Sequence, residues 1–164
     1  MQIRIRATGQ VLLEHEWIKW VATTYAKSIS AMTADIYDRF DSDAVFEGAQ
    51  ATGGTVYQYS QRDGVEQQSD GKWYTKYILG PVFTDGETTA VAQEAAYKAM
   101  KDAEFAKSAR DSRDNLLSEC DWVIVMSLEA GRAIPAEWAT YRQALRDLPQ
   151  QAGFPVTINW PVKP

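Results

Sequence analysis

Apolar and polar side chains alternate at the start of the chain, where Ile3 and Ile5 are interleaved with Gln2, Arg4 and Arg6, the period of two of a half-buried strand. Thr8-Gly9 offers a turn before Val11-Leu12-Leu13, so an opening β-hairpin is expected. Over residues 14–25 the spacing of Trp17, Trp20 and Val21 is helical, but Thr23, Thr24 and Tyr25 disfavour a long helix, and the segment reads as mixed. Further on, Gly53-Gly54, Asp63-Gly64 and Asp70-Gly71 punctuate three runs, residues 55–62, 65–68 and 72–79. Such pairs suit tight turns because glycine accepts positive φ, and a three-stranded meander is predicted. In its last strand Trp73, Thr75, Tyr77 and Leu79 share one face and Tyr74, Lys76 and Ile78 the other, so both faces carry apolar bulk.

After Gly80-Pro81 the period changes. Thr84 and Glu87 have capping-box spacing ahead of an Ala-, Glu- and Lys-rich stretch, which predicts a long helix from about Asp85. Ala92, Ala96, Ala99, Ala103, Ala106, Arg110, Arg113, Leu117, Cys120 and Ile124 follow steps of four and three, a heptad seam. Two accounts of the seam stand: alanine is common in an exposed connecting helix, or the seam packs against a partner as a coiled coil. Pro135 suits a first helical position, Trp138, Tyr141, Leu145 and Leu148 form one stripe, and Pro149 ends it. Gly131 is placed to cap the preceding helix. An antiparallel helical hairpin follows, with Leu116, Leu117, Cys120 and Ile124 facing the stripe. Beyond it, Pro155, Pro161 and Pro164 around Val156, Ile158 and Trp160 read as an extended arm.

Composition narrows the chemistry. With 164 residues, 45% hydrophobic, the chain can bury one ordinary core or two small ones. Cys120 is the sole cysteine, so no internal disulfide is available, and with one histidine a structural zinc site is not expected. A net charge of −5 without a basic cluster disfavours a nucleic acid partner. The run Trp122-Val123-Ile124-Val125-Met126 is too short to span a bilayer and residues 1–10 do not resemble a signal peptide, so no membrane partner and a host-cell cytosolic location are expected.

No catalytic constellation emerges. His15 lies between Glu14 and Glu16 and reads as a solvated surface residue; Cys120, on an apolar stripe between Glu119 and Asp121, reads as a buried, inert thiol. The glycine pairs lack the lysine of a phosphate loop. Asp35, Asp38, Asp41 and Asp43 lack the glycine and terminal glutamate of a calcium loop and read as a polar loop. A glycan hydrolase would need two carboxylates at a set separation, which no motif supplies. No catalytic, cofactor or metal site is assigned. The aromatic residues are the notable feature: six Trp, eight Tyr and five Phe, with Trp122, Trp138 and Tyr141 read as closing the hairpin core, and Phe154 and Trp160 as docking either on a partner or on the hairpin.

A resemblance enters at the C-terminus. Arg113-Asp114-Asn115-Leu116-Leu117, Asp121-Trp122, Trp138-Ala139, Tyr141-Arg142-Gln143-Ala144-Leu145-Arg146-Asp147, Gly153-Phe154-Pro155 and Trp160-Pro161-Val162-Lys163-Pro164 follow in an order that resembles phage tail (fibre) assembly chaperone proteins, clearest over residues 110–164. Gly71-Lys72-Trp73 leading to Thr84-Asp85 is similar to the segment preceding the helix in that family. The chain departs from the commoner form at Val123-Ile124-Val125-Met126, where a polar stretch with a proline is usual, and this extends the first helix.

The resemblance implies a protein that binds tail fibre or other tail proteins, assists their folding, trimerisation or attachment, and in some cases stays in the virion. The alternative is a permanent structural subunit of the tail fibre or baseplate. Taken together, the expectations are an α+β fold with an antiparallel β-rich module over residues 1–84 and a helical region over residues 85–164, in which a long connecting helix leads to an antiparallel helical hairpin with an extended arm. No enzymatic activity is expected, and Trp138, Arg142, Arg146, Phe154 and Trp160 are the partner-binding residues, with oligomeric or coiled-coil association through the 92–124 seam.

Overall fold

A computed structural model describes residues 1–33 and 35–164, which form two compact units, Met1–Val82 and Phe83–Pro164. The α+β class is borne out: a five-stranded sheet with two helices builds the first unit, and helices build the second.

In the first unit the opening hairpin forms as expected, β1 (Gln2–Ile5) against β2 (Val11–Leu13), with Gly9 at φ 72° in the turn. The mixed reading of the next segment gives way to a helix, α1 (Glu14–Tyr25). Glu16 Oε2 accepts the Leu13 amide at 2.8 Å to start it, and Thr23 Oγ1 donates to the Lys19 carbonyl at 3.0 Å, so the threonine is accommodated within the last turns. Trp17 and Val21 bury on Ile3 and Ile5, together with Ile36 and Phe40. His15 is exposed, as expected.

The polar-loop reading of Asp35, Asp38, Asp41 and Asp43 is corrected. A short helix, α2 (Ile36–Arg39), and a strand, β3 (Ser42–Phe46), occupy it. The strand tolerates Asp43 because an arginine of β1 and the one just after it neutralise it: Arg6 Nε donates to Oδ1 at 2.8 Å and Arg4 Nη1 to Oδ2 at 3.3 Å. Arg4 also lies over the Trp73 ring, 3.9 Å from its centroid.

The three-stranded meander is likewise corrected. Residues 59–67 form one strand, β4 (Tyr59–Gln67), and Asp63-Gly64 is a bulge within it, marked by the register shift between Arg62 and Val65. Its partner is β5 (Trp73–Gly80), and the sheet order is β2-β1-β3-β5-β4; β3 and β5 pair in parallel, so the expected antiparallel module is corrected to a mixed sheet. Over Thr75 and Leu79 the chain crosses closely: the Gly48 amide donates to Thr75 Oγ1 at 2.7 Å, and a Cβ on Gly54 would lie 2.9 Å from Leu79 Cδ2.

In the second unit the long helix, α3, spans Ala90–Ser118 and starts later than the sequence suggested. Thr89, not Thr84, caps it by accepting from the Ala92 amide at 3.2 Å, while Asp85 Oδ1 accepts the Ala90 amide at 2.7 Å. Nor does α3 run through Val123-Ile124-Val125-Met126. The helix breaks at Glu119-Cys120 and resumes as α4 (Asp121–Glu129), followed by α5 (Ala136–Asp147). The seam therefore ends at the break, and of its alanines Ala92, Ala96, Ala99 and Ala103 are exposed and Ala106 is buried.

The hairpin itself is present. Cys120, Tyr141, Leu145 and Leu148 form its core, with Leu116, Leu117, Trp138 and Ile158 packed on it; Ile124 is not in that cluster. Gly131, at φ 59°, closes α4. The arm folds back along α3, tied by the Gln151 side chain to both backbone groups of Asn159 at 2.9 and 2.8 Å and by a Lys163–Glu119 ion pair at 3.0 Å.

Candidate functional site

The break between α3 and α4 leaves carbonyls of α3 without their usual partners. Cys120 sits there with φ −112° and ψ 10°, and its amide reaches back three residues to Leu117 O at 3.2 Å. Its thiol donates to Leu116 O and Leu117 O at 3.2 and 3.1 Å. From α5, Arg142 closes the arrangement. Its Nη1 donates to Leu117 O at 2.9 Å and to Cys120 Sγ at 3.0 Å, and its Nη2 meets Asp121 Oδ1 at 2.8 Å. Burial works against the guanidinium charge, but the Asp121 and Cys120 hydrogen bonds outweigh it and hold the Arg142 pKa above its ordinary value. Burial, with Cys120 adding to it, pushes the neighbouring Tyr141 phenol up.

The clamp fixes how α4 leaves the hairpin. Its sequence, Asp121-Trp122-Val123-Ile124-Val125-Met126-Ser127-Leu128-Glu129, is apolar on almost every side, the composition of a helix buried all round. Within its unit, however, only Val123 and Ser127 are buried. At 100° per residue the outward arc runs through Leu128, Val125, Trp122 and Met126, which are 72%, 52%, 56% and 49% exposed. This exposed apolar face is the candidate site.

The sequence-based reading of Trp122 as a core residue is thus corrected. Tyr141 is buried, Trp138 is half-buried, and Trp122 is the outer end of an edge-to-face row, 6.0 Å from Trp138, which is 6.1 Å from Tyr141. Cys120 is fully buried, as expected. Val125, Met126 and Leu128 were missed as functional candidates, although the apolar run that contains two of them was visible. The missing information was the break, which turns the run outward.

The five expected partner-binding residues fall in different places. Trp138 packs on Trp122 just past the helix break, and Arg142 bonds to Cys120 at it. Arg146 is exposed on the last turn of α5. Phe154 lies on α3, its ring centroid 5.5 Å from the Arg110 guanidinium carbon, and Trp160, 40% exposed, lies beside Ser112, Asn115 and Leu116. Lys163, whose hydrogen bond to Glu119 raises its pKa, fixes the end of the arm. No cluster of three or more histidine, cysteine or carboxylate side chains that could hold a metal occurs among the described residues, and none of their helices is long and apolar enough to cross a membrane.

This arrangement defines a helical module built around a clamped break and carrying an uncovered apolar helix. Residues 106–164 match the family model described as phage tail assembly chaperone protein. The resemblance read over residues 110–164 is borne out for this segment, which is similar to that family and contains the break, the clamp and the exposed helix. No curated protein and no solved structure matches the chain.

Proposed function

We propose that the chain acts in the assembly of a phage tail, binding tail proteins through the surface around the α4 break. Two observations support the reading: the similarity of residues 106–164 to tail assembly chaperone proteins, and, within that segment, an apolar helix face that its own unit leaves exposed. A contiguous exposed apolar patch of this kind is often a functional contact surface. The client in this reading is a tail fibre or another tail protein, helped to fold, trimerise or attach in the host cytoplasm. Trp138, Arg146, Phe154 and Trp160 extend the contact surface, and Arg142 contributes by holding α4 in place. No enzymatic step, cofactor or nucleic acid is part of it.

Co-expression with the cognate fibre tests the reading through fibre trimer yield. The chain raises the yield, and Trp138→Ala, Arg146→Ala and Trp160→Ala together lower it in a protein whose circular dichroism is unchanged; an unaltered yield refutes it. The structural-subunit alternative draws on the exposed Ala92, Ala96, Ala99 and Ala103 of α3, a row available to a fibre helix. Stoichiometric amounts of the chain in purified virions would favour that reading, and its absence would favour a transient chaperone.

A further inference from the structure

We infer that the partner segment seated on α4 is an amphipathic helix with an apolar stripe and cationic residues near both ends. The inference rests on the reading of the chain as a tail-protein binder and specifies what is bound. Three features select this occupant.

The first is size. With Leu128, Val125, Trp122 and Met126 exposed to the extents given above, the face offers on the order of 450 Å² of apolar surface, against ~800 Å² per partner in a standard protein interface. A face nine residues long extends ~13 Å, the footprint of a few turns of one helix.

The second is backbone chemistry. A segment docked on side chains of an α-helix finds no free sheet edge there, and unit 2 contributes no strand among the described residues. An extended segment would bury its amides and carbonyls unpaired, whereas a helix satisfies its own.

The third is charge. The only ionisable residues of α4 are its first and last, Asp121 and Glu129, both acidic and both, at 100° per residue, on the side of the exposed arc. Arg142 engages Oδ1 of Asp121, but that carboxylate remains 59% exposed. A second copy docked antiparallel would set Asp121 against Glu129, and one docked parallel would set each acid against itself. Both arrangements oppose like charges, so self-association is disfavoured and a helix with lysine or arginine near each end is favoured.

The test uses the full-length protein and three fluorescein-labelled designed peptides of equal length. One carries leucines at helical spacing with lysines at both ends, one the same leucines with glutamates at the ends, and one a scrambled order of the lysine peptide. Fluorescence anisotropy is expected to give binding of the lysine-ended helix at least tenfold tighter than of the other two. Val125→Glu and Leu128→Glu each weaken it at least tenfold, while Val91→Glu, on the exposed start of α3, does not. Equal affinity for the lysine- and glutamate-ended peptides, or binding indifferent to Val125→Glu, overturns the inference. So does a dimer in sedimentation that Val125→Glu abolishes. Capture of co-expressed tail proteins is measured beside it: capture lost in Val125→Glu with no peptide bound keeps the client reading and rejects the helical occupant. Peptide binding as described with no tail protein ever captured does the reverse.

Discussion

Removing the guanidinium of Arg142 while keeping its apolar stem, as in Arg142→Met, should loosen the α3–α4 break without unfolding the molecule. The lost charge-assisted bond to the Leu117 carbonyl, 2.9 Å long and part-buried, is of a kind that contributes ~1.5–3 kcal/mol. The pair with Asp121 adds little, because that carboxylate is 59% exposed and screened. Water entering the vacated space recovers part of the loss, leaving a net cost of about 2 kcal/mol. At 1.4 kcal/mol per decade this is roughly a 30-fold rise in the local opening equilibrium. The Cys120 and Val123 amides, which bond across the break to Leu117 O and Cys120 O, report it directly by hydrogen exchange. Their exchange should quicken about 30-fold, while amides around Trp17 and Val21, whose packing lies within the first unit, stay unchanged. Arg142→Lys should fall between the two, since one ammonium cannot reach both Leu117 O and Asp121. A change under threefold at Cys120 and Val123, or an equal change in both units, would refute the clamp.

Three further outcomes follow from the first unit. Ser42→Ala removes the acceptor of the fully buried Trp17 Nε1, now 2.9 Å away, and should cost ~1–3 kcal/mol in urea unfolding; a cost under 0.5 kcal/mol would contradict the assigned bond. Gly48→Ala would put a Cβ 1.9 Å from the Thr75 carbonyl oxygen and displace the segment that crosses β5, costing roughly 3 kcal/mol or more in thermal unfolding. Asp70 accepts from the Lys72 amide and the Tyr74 hydroxyl at 3.0 and 2.9 Å, and these bonds lower its pKa. A depressed folded value means the carboxylate supports the β4–β5 turn above the ordinary aspartate range and loses that support as the pH falls through its own pKa. The Lys72 amide shift should therefore titrate with a midpoint below that of an unstructured aspartate, and a midpoint at or above it would exclude the assignment.

Local patterns were legible where the residues concerned carry their structure alone. Alternation announced β1, Thr8-Gly9 its turn, and the stripe of Trp138, Tyr141, Leu145 and Leu148 the last helix. What escaped was long-range compensation. Asp43 looks like a loop residue until Arg4 and Arg6, far away in sequence, neutralise it within a central strand. Asp63-Gly64 looks like a turn because the same residue types serve a bulge, and only the cross-strand register distinguishes them. The break at Cys120 is invisible because residues on both sides favour a helix. It is stabilised by a guanidinium from α5, and the direction in which Trp122, Val125, Met126 and Leu128 face follows from it. Of the candidate site, then, the residue types and the resemblance were readable, but not the exposure that makes α4 a surface.

A photo-crosslinking side chain placed at Val125 during phage infection tests the central claim most directly, with a second placed at Val56, equally exposed but in the first unit, for comparison. Mass spectrometry of the crosslinked products should identify a tail protein at Val125 and not at Val56. Tail proteins captured equally from both positions, or from neither, would contradict the account of α4 as the site where the chain meets its client.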